Sequence, residues 1–133
     1  MIVLDAGVGV TALVDDGIDG DIARSLLRGD ELAAPEVFDL EVTSVLRRLE
    51  QADRLTARRA EQAMSDLADL RLERVSHAPL VDRCWELRHN LTPYDAAYVA
   101  LAEMFEVVLV TSDARLANAP GPTCRIDLLT TES

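Results

Sequence analysis

The chain has 133 residues, of which 13 are basic and 24 acidic, and its formal net charge is −11. This length fits a single domain over residues 1–133, and a hydrophobic content of 49% is enough to build its core. The acidic balance argues against a simple nucleic-acid-binding module, because phosphate backbones attract clustered cations.

Lysine is absent, so all 13 basic residues are arginine. A phosphate-binding P-loop and a Schiff-base enzyme both require a lysine, and both classes are excluded. Five of the arginines lie close together in the sequence and concentrate positive charge locally: Arg47, Arg48, Arg54, Arg58 and Arg59.

The two cysteines, Cys84 and Cys124, are too few for a disulfide framework and are interpreted as reduced thiols. The apolar start of the chain carries an acid at Asp5 and no basic residue before it, which is not typical of a signal peptide. No apolar run approaches the ~18 residues of a membrane-spanning helix. We therefore expect a soluble, cytoplasmic protein that does not contact a membrane.

The first predicted elements are, in chain order, a strand at residues 2–4, a helix at 8–14, a turn at 15–20, a helix ending near 29 and a strand at 32–34. The first strand ends at Asp5 and the second at Pro35. Asp19 or Asp21 is expected to cap the second helix, because an Asp side chain accepts the free N–H groups of a first turn.

The middle of the chain is predicted to form helices at residues 36–51, from Thr56 onwards and from Pro79 to about His89, with a strand at 72–75 between the last two. In residues 36–51 the apolar side chains recur with the helical period. Thr56 is expected to cap the helix that follows it.

The last predicted elements are a buried helix from Thr92 and Pro93 to about Phe105, a strand at 107–110, a short helix beginning at Asp113 and an edge strand at 125–128. Strands alternate with helices along the whole chain. This alternation predicts an α/β domain with a central, mostly parallel sheet of four to five short strands, flanked by about seven helices.

Two acids come directly after predicted strands. Asp5 follows the first strand and Asp113 follows the strand at 107–110. Ligand sites of parallel sheets lie at the carboxyl ends of the strands. Each acid has the alternative role of capping the next helix, and at Asp113 the cap could instead be Thr111 or Ser112.

Two more acids occupy unusual helical positions. Glu41 lies within the apolar stripe of its helix, where a carboxylate must be paired, protonated or bound to a metal. An ion pair with an arginine is the alternative. Asp95 stands at the start of the buried helix, where a capping box with Thr92 is the alternative. Its neighbours Tyr94 and Tyr98 are interpreted as packing residues.

These four acids are expected to converge at one edge of the sheet. Carboxylates that share a site repel one another unless a cation lies between them. All-oxygen ligands favour Mg²⁺ or Mn²⁺, and such a site suits phosphodiester hydrolysis. His77 and His89 lack metal-ligand spacing and are interpreted as surface or structural residues.

Four segments in this order resemble those of the PIN-domain ribonucleases, most closely the VapC-type toxins of bacterial toxin–antitoxin pairs: MIVLDAGVGV, PEVFDLEVTSVLRRL, LTPYDAAYVALAE and VTSDARL. The resemblance covers essentially the whole chain. It implies a single PIN domain in which Asp5, Glu41, Asp95 and Asp113 bind Mg²⁺ or Mn²⁺ and cleave RNA. Thr111 and Ser112 would orient a ligand or water nearby.

The same resemblance implies a homodimer and an antitoxin that inserts a peptide, often with a basic side chain, into the acidic groove. Two positions depart from the pattern. Gly7 stands where many relatives carry Ser or Asn, which removes a hydrogen bond that could support the metal ligands. Arg115 stands near the fourth acid, where some relatives carry a further acid, so the number of metal ions stays open.

The main alternative is a catalytically inactive PIN-like module that binds an antitoxin peptide or RNA. A phosphotransfer receiver or a dehalogenase-type phosphatase would need the lysine that this chain lacks. A Cys–His hydrolase built on Cys84 is disfavoured, because this cysteine lies beside Trp85 in a predicted helix.

Overall fold

The structure is a computed structural model that describes residues 1–129. The four residues that follow belong to the predicted domain but lie outside the described part. The strands are β1 Ile2–Leu4, β2 Leu32–Pro35, β3 Glu73–Val75, β4 Val108–Thr111 and β5 Ile126–Leu128. They form one sheet in the order β3-β2-β1-β4-β5 with every neighbouring pair parallel, so the predicted α/β class is confirmed.

Seven α-helices lie within residues 1–129: α1 Ala6–Val14, α2 Ile18–Gly29, α3 Val37–Gln51, α4 Ala57–Asp69, α5 Val81–Glu86, α6 Pro93–Phe105 and α7 Ala114–Ala117. A single turn of 3-10 helix, Ala78–Leu80, precedes α5. In this described part, no helix is long and apolar enough to cross a membrane.

The order of the strands reverses at β1. The chain first adds β2 and β3 on one side of β1, and then places β4 and β5 on the other side. In parallel sheets, a crevice opens at the carboxyl ends of the strands where such a reversal occurs. The fold therefore provides a site beside the ends of β1 and β4.

The core lies between the central strands and the helices that cover them. Val3, Leu4 and Leu109 are fully buried in β1 and β4, which explains why these strands are continuous apolar runs. Helix α6 is buried along most of its length, including Val99 and Leu101. This agrees with the sequence, in which almost every face of that helix is apolar.

Four helix starts are fixed by local capping, as the sequence predicts. The side chains of Asp5, Thr56, Thr92 and Asp113 each accept a hydrogen bond from a backbone N–H of the following turn. These contacts span two or three residues, so the residue type alone indicates them.

The start of α2 differs from the prediction that Asp19 or Asp21 caps it. Gly17 is the capping residue, and both of those acids lie in the first turn of the helix. The carboxylate of Asp15 accepts the N–H groups of Gly17 at 2.8 Å and Gly20 at 3.3 Å. Asp15 therefore provides the hydrogen-bond acceptor that the prediction assigned to Asp19 or Asp21.

The helix predicted from Pro79 to about His89 is also shorter than expected. It ends at Glu86, and the buried Leu87 begins a turn in which its carbonyl accepts the N–H groups of Asn90 and Leu91.

Candidate active site

All four predicted acids line one cleft of about 380 Å³ at the carboxyl edge of the sheet: Asp5, Glu41, Asp95 and Asp113. Asp5 follows β1 and Asp113 follows β4, and these strands are paired in parallel. Glu41 comes from α3 and Asp95 from the first turn of α6. All four acids therefore line the same cleft, and their role as metal ligands stays a prediction.

Asp5 has the most enclosed of these carboxylates, with 9% of the residue exposed. Its Oδ1 accepts the N–H of Val8 at 3.0 Å, and its Oδ2 accepts the hydroxyl of the fully buried Thr111. The Thr111 hydroxyl in turn accepts the N–H of Asp113 at 3.0 Å. Asp5 therefore caps α1 and faces the cleft at once, while Thr111 links it to the fourth acid.

Glu41 is half-buried and is held by a tyrosine rather than by an arginine. The hydroxyl of Tyr98 donates to its Oε1 at 2.6 Å. Within residues 1–129 Glu41 forms no ion pair, so the alternative of an arginine partner is wrong. Its second carboxylate oxygen is left for a ligand in the cleft.

Asp95 and Asp113 both combine a helix-end position with a place in the cleft. The N–H of Asp95 donates to the Thr92 hydroxyl at 3.2 Å, which is one half of the predicted capping box. The carboxylate of Asp113 caps α7 by accepting the N–H of Arg115 at 2.9 Å, and the Arg115 guanidinium lies 3.4 Å from it. Capping and a role in the cleft are therefore compatible.

The pKa is raised at three of the four acids and lowered at Asp113. Burial raises the pKa of Asp5, Glu41 and Asp95, and the neighbouring carboxylates raise the pKa of each further. At Asp113 burial also acts to raise the pKa, but the hydrogen bonds from Arg115 outweigh it and lower the pKa. At Asp95 the charge of Arg115 acts to lower the pKa, but burial and the charge of Asp113 outweigh it.

The donor set fits a hard divalent cation, because the four acids supply only oxygen. Within residues 1–129, no three Asp, Glu, His or Cys side chains are already grouped so as to hold an ion. The acids therefore line an open cleft rather than a closed cage. Mg²⁺ suits such a cleft, since it keeps several waters and is bound through one or two carboxylates.

Sequence reasoning did not place three polar side chains in the cleft, although it named Arg48 in a local cluster of arginines. Tyr98 was assigned to packing and is indeed 1% exposed, but its hydroxyl also holds Glu41. Ser44 and Arg48 line the same cleft. Both lie on the Glu41 face of α3, at spacings of three and seven residues, and this helical spacing was the available signal. Tyr94 is not a core residue, because it is 59% exposed.

The position of the Ser112 side chain explains why residue 7 is glycine. A Cβ atom at residue 7 would lie 2.4 Å from the Ser112 hydroxyl oxygen and 3.4 Å from Asp5 Oδ1. The space beside Asp5 that a side chain at residue 7 would occupy is therefore filled by a hydroxyl from the end of β4.

His77 has a structural role, as the sequence indicates. Its Nε2 accepts the N–H of Val37 at 3.0 Å and so caps α3 from forty residues away in the chain. The residue at the N-terminal cap, Glu36, contributes no side-chain hydrogen bond there.

Comparison with known protein families identifies the class to which this parallel sheet and its carboxylate cleft belong. The model of the PIN domain family matches residues 2–122. VapBC2 from Rickettsia felis, bound to a DNA fragment from its promoter, shares the fold with a TM-score of 0.69, at 16% identity over 98% of this chain and 100% of that one. A toxin–antitoxin complex from Klebsiella pneumoniae gives a TM-score of 0.63, at 17% identity over 98% of both chains.

Sequence similarity to curated relatives identifies the group within this family to which the chain belongs. Ribonuclease VapC1 of Mycobacterium tuberculosis is 42% identical over 128 residues, which cover 96% of each chain. The chain therefore belongs to the PIN domain family and, within it, to the VapC ribonucleases. This membership favours the predicted toxin ribonuclease over the inactive binding module.

Proposed function

We propose that this protein is the toxin of a toxin–antitoxin pair and an endoribonuclease that hydrolyses RNA phosphodiester bonds with Mg²⁺ or Mn²⁺. The observation that carries the proposal is the convergence of Asp5, Glu41, Asp95 and Asp113 on one cleft. The similarity to relatives named as VapC ribonucleases supports it.

In this proposal the four acids hold the metal, which supplies Lewis acidity toward the phosphate and lowers the pKa of a water. Asp5 is held rigidly, because both of its oxygens accept hydrogen bonds from the protein. Glu41 keeps one oxygen on Tyr98 and presents the other to the cleft. A carboxylate with an oxygen left over accepts the proton of the attacking water.

We propose further that an antitoxin neutralises the site with a basic side chain. Three carboxylates whose pKa values are raised by burial and by one another form a strong acceptor for such a group. A solved toxin–antitoxin complex has the same fold. Cleavage that continues undiminished when the cognate partner is added in excess would contradict this part.

A homodimer is also proposed. Val81 and Trp85 lie one turn apart on α5 and are 56% and 67% exposed, and Val81 lines an apolar pocket together with the exposed Tyr94. Exposed apolar groups of this size suit an interface between copies. Light scattering that gave the 14.6 kDa mass of one chain would contradict it.

The test of the ribonuclease function is cleavage of total cellular RNA by the purified protein, with Mg²⁺ or Mn²⁺ and with EDTA. The parent protein and Asp95→Asn, prepared in the same way, are compared. We expect discrete fragments that require metal and are absent with the variant. Cleavage that persists with Asp95→Asn would indicate a contaminating nuclease, and no cleavage by folded, antitoxin-free protein would support the binding module.

A further inference from the structure

Arg48 is a cation in the lining of the cleft that pairs with none of the four acids. Arg48 lies on α3 two turns after Glu41 and lines the cleft with the four acids. Its side chain is exposed. Other arginines of the chain, such as Arg59 and Arg74, pair with acids at 2.6 Å, whereas Arg48 forms no ion pair within residues 1–129.

Three of the four carboxylates have protein partners, and Arg48 forms no ion pair with the fourth, Asp95, within residues 1–129. Glu41 takes its hydrogen bond from Tyr98, Asp5 takes its bonds from Val8 and Thr111, and Asp113 takes its bonds from Arg115. Arg48 is therefore not part of the network that positions the acids. Its guanidinium is left for a group that enters the cleft from solvent.

We propose that Arg48 binds a phosphate of the RNA backbone next to the bond that is cleaved, an inference that rests on the ribonuclease function proposed above. A guanidinium presents its N–H groups in a planar fork that matches two phosphate oxygens. The four carboxylates of the cleft repel those phosphates of the RNA backbone that are not bound to the metal. Arg115 is paired with Asp113, whereas Arg48 forms no ion pair within residues 1–129. Arg48 therefore determines which phosphate is held and so fixes the register of the strand.

Arg47 provides a matched control. It is the neighbouring residue on the same helix, it is also exposed, and it forms no ion pair in the described part of the chain. It does not line the cleft, because successive residues of a helix point about 100° apart. Replacing either arginine by alanine changes the net charge equally. Any difference in Kd for RNA between the two variants therefore results from the different positions of the two side chains.

RNA binding is measured in the Asp95→Asn background with Mg²⁺ present, so that binding is separated from cleavage. The probe is a short, mixed-sequence, fluorescently labelled single-stranded RNA, followed by anisotropy over a salt series. We expect Arg48→Ala to raise Kd about tenfold. The slope of log K against log salt should become shallower by about 0.7, the value for one lost phosphate contact on a single strand. Arg48→Lys should keep the slope and recover part of the affinity, and Arg47→Ala should resemble the background.

Cleavage by the metal-loaded protein gives an independent readout. Loss of a contact that substrate and transition state share should raise KM and leave kcat nearly unchanged in Arg48→Ala. Equal effects of Arg47→Ala and Arg48→Ala on Kd and slope, or a loss of kcat without a change of slope, would overturn the assignment. If the parent protein cleaves RNA and the two variants are equivalent, only the role of Arg48 fails. If the parent protein does not cleave RNA, the ribonuclease function fails.

Discussion

At the scale of single residues, hydrogen bonds that cross the chain position the acids of the cleft. Thr111 holds Asp5 across 106 positions and Tyr98 holds Glu41 across 57. Such groups do not need to contact the metal to matter, because a ligand whose orientation is fixed loses less freedom on binding. In this site the buried Tyr98 holds one oxygen of Glu41, a residue that lines the cleft.

Tyr98→Phe tests this positioning role. Removing only the hydroxyl should weaken Mn²⁺ binding about tenfold, because Glu41 is then free to turn away from the cleft. The measurement is a titration of the protein with Mn²⁺, in which free Mn²⁺ is quantified by electron paramagnetic resonance. Tyr94→Phe is the control, since it makes the same chemical change at an exposed residue. Equal Mn²⁺ dissociation constants for the two variants would show that the hydroxyl does not position Glu41.

At the scale of elements, the contact of α1 with α3 sets the distance between Asp5 and Glu41. Gly9 permits this contact: a Cβ atom there would lie 2.7 Å from Phe38 Cζ. Phe38 is fully buried, so its ring has no free space into which to move. Helix α1, which Asp5 caps, and helix α3, which carries Glu41, are therefore held at a separation that only glycine allows.

The pair Gly9→Ala and Gly29→Ala tests this packing. Both glycines are helical, and alanine is favoured over glycine in helices by about 1 kcal/mol. A Cβ atom at Gly29 meets no atom within 4 Å, so that variant should be neutral or slightly stabilised. Gly9→Ala should be less stable than Gly29→Ala by about 1–3 kcal/mol, because the added methyl overpacks the core. Urea denaturation measures both, and equal free energies of unfolding would refute a tight contact at Gly9.

At the scale of the whole molecule, charge opposes folding in the absence of metal. The net charge is −11, and three carboxylates of the cleft have raised pKa values. A carboxyl group whose pKa is raised by folding stabilises the protein when protonated, and this contribution is lost as pH rises through the folded-state pKa. The metal-free protein should therefore lose stability as pH rises above the ordinary carboxyl pKa of about 4.

Thermal unfolding in EDTA and in excess Mg²⁺ tests this dependence. With EDTA, Tm should rise as pH is lowered from about 8 to about 5, before groups of lowered pKa such as Asp113 begin to protonate. Mg²⁺ at one hundred times its Kd should stabilise the protein by about 2.7 kcal/mol near pH 8. It should stabilise the protein less near pH 5, because protons compete for the same oxygens. An equal effect of Mg²⁺ at both pH values would contradict metal binding by these carboxylates.

Much of the fold could be predicted from the sequence, because its signals are local. The apolar run of β4 and the cap of α6 by Thr92 depend on neighbours within a few residues. The predicted cap of α2 was wrong although the contact is local. Asp15 accepts the N–H groups of Gly17 and Gly20, and residue type does not show which of several nearby acids does so. The end of α5 at Glu86 was not predicted, because neither glycine nor proline follows within three residues to mark it.

For the site, the sequence by itself determined which acids are available and that two of them follow strands of a parallel sheet. It also supplied the chemistry of an all-oxygen donor set without lysine. Only the tertiary structure decided that Glu41 bonds to Tyr98 rather than to an arginine, that Ser112 fills the space beside Gly7, and that Arg48 faces the cleft. The physical reason is that helical and strand periods fix which face a side chain occupies. Which distant side chain meets that face depends on how the whole chain packs.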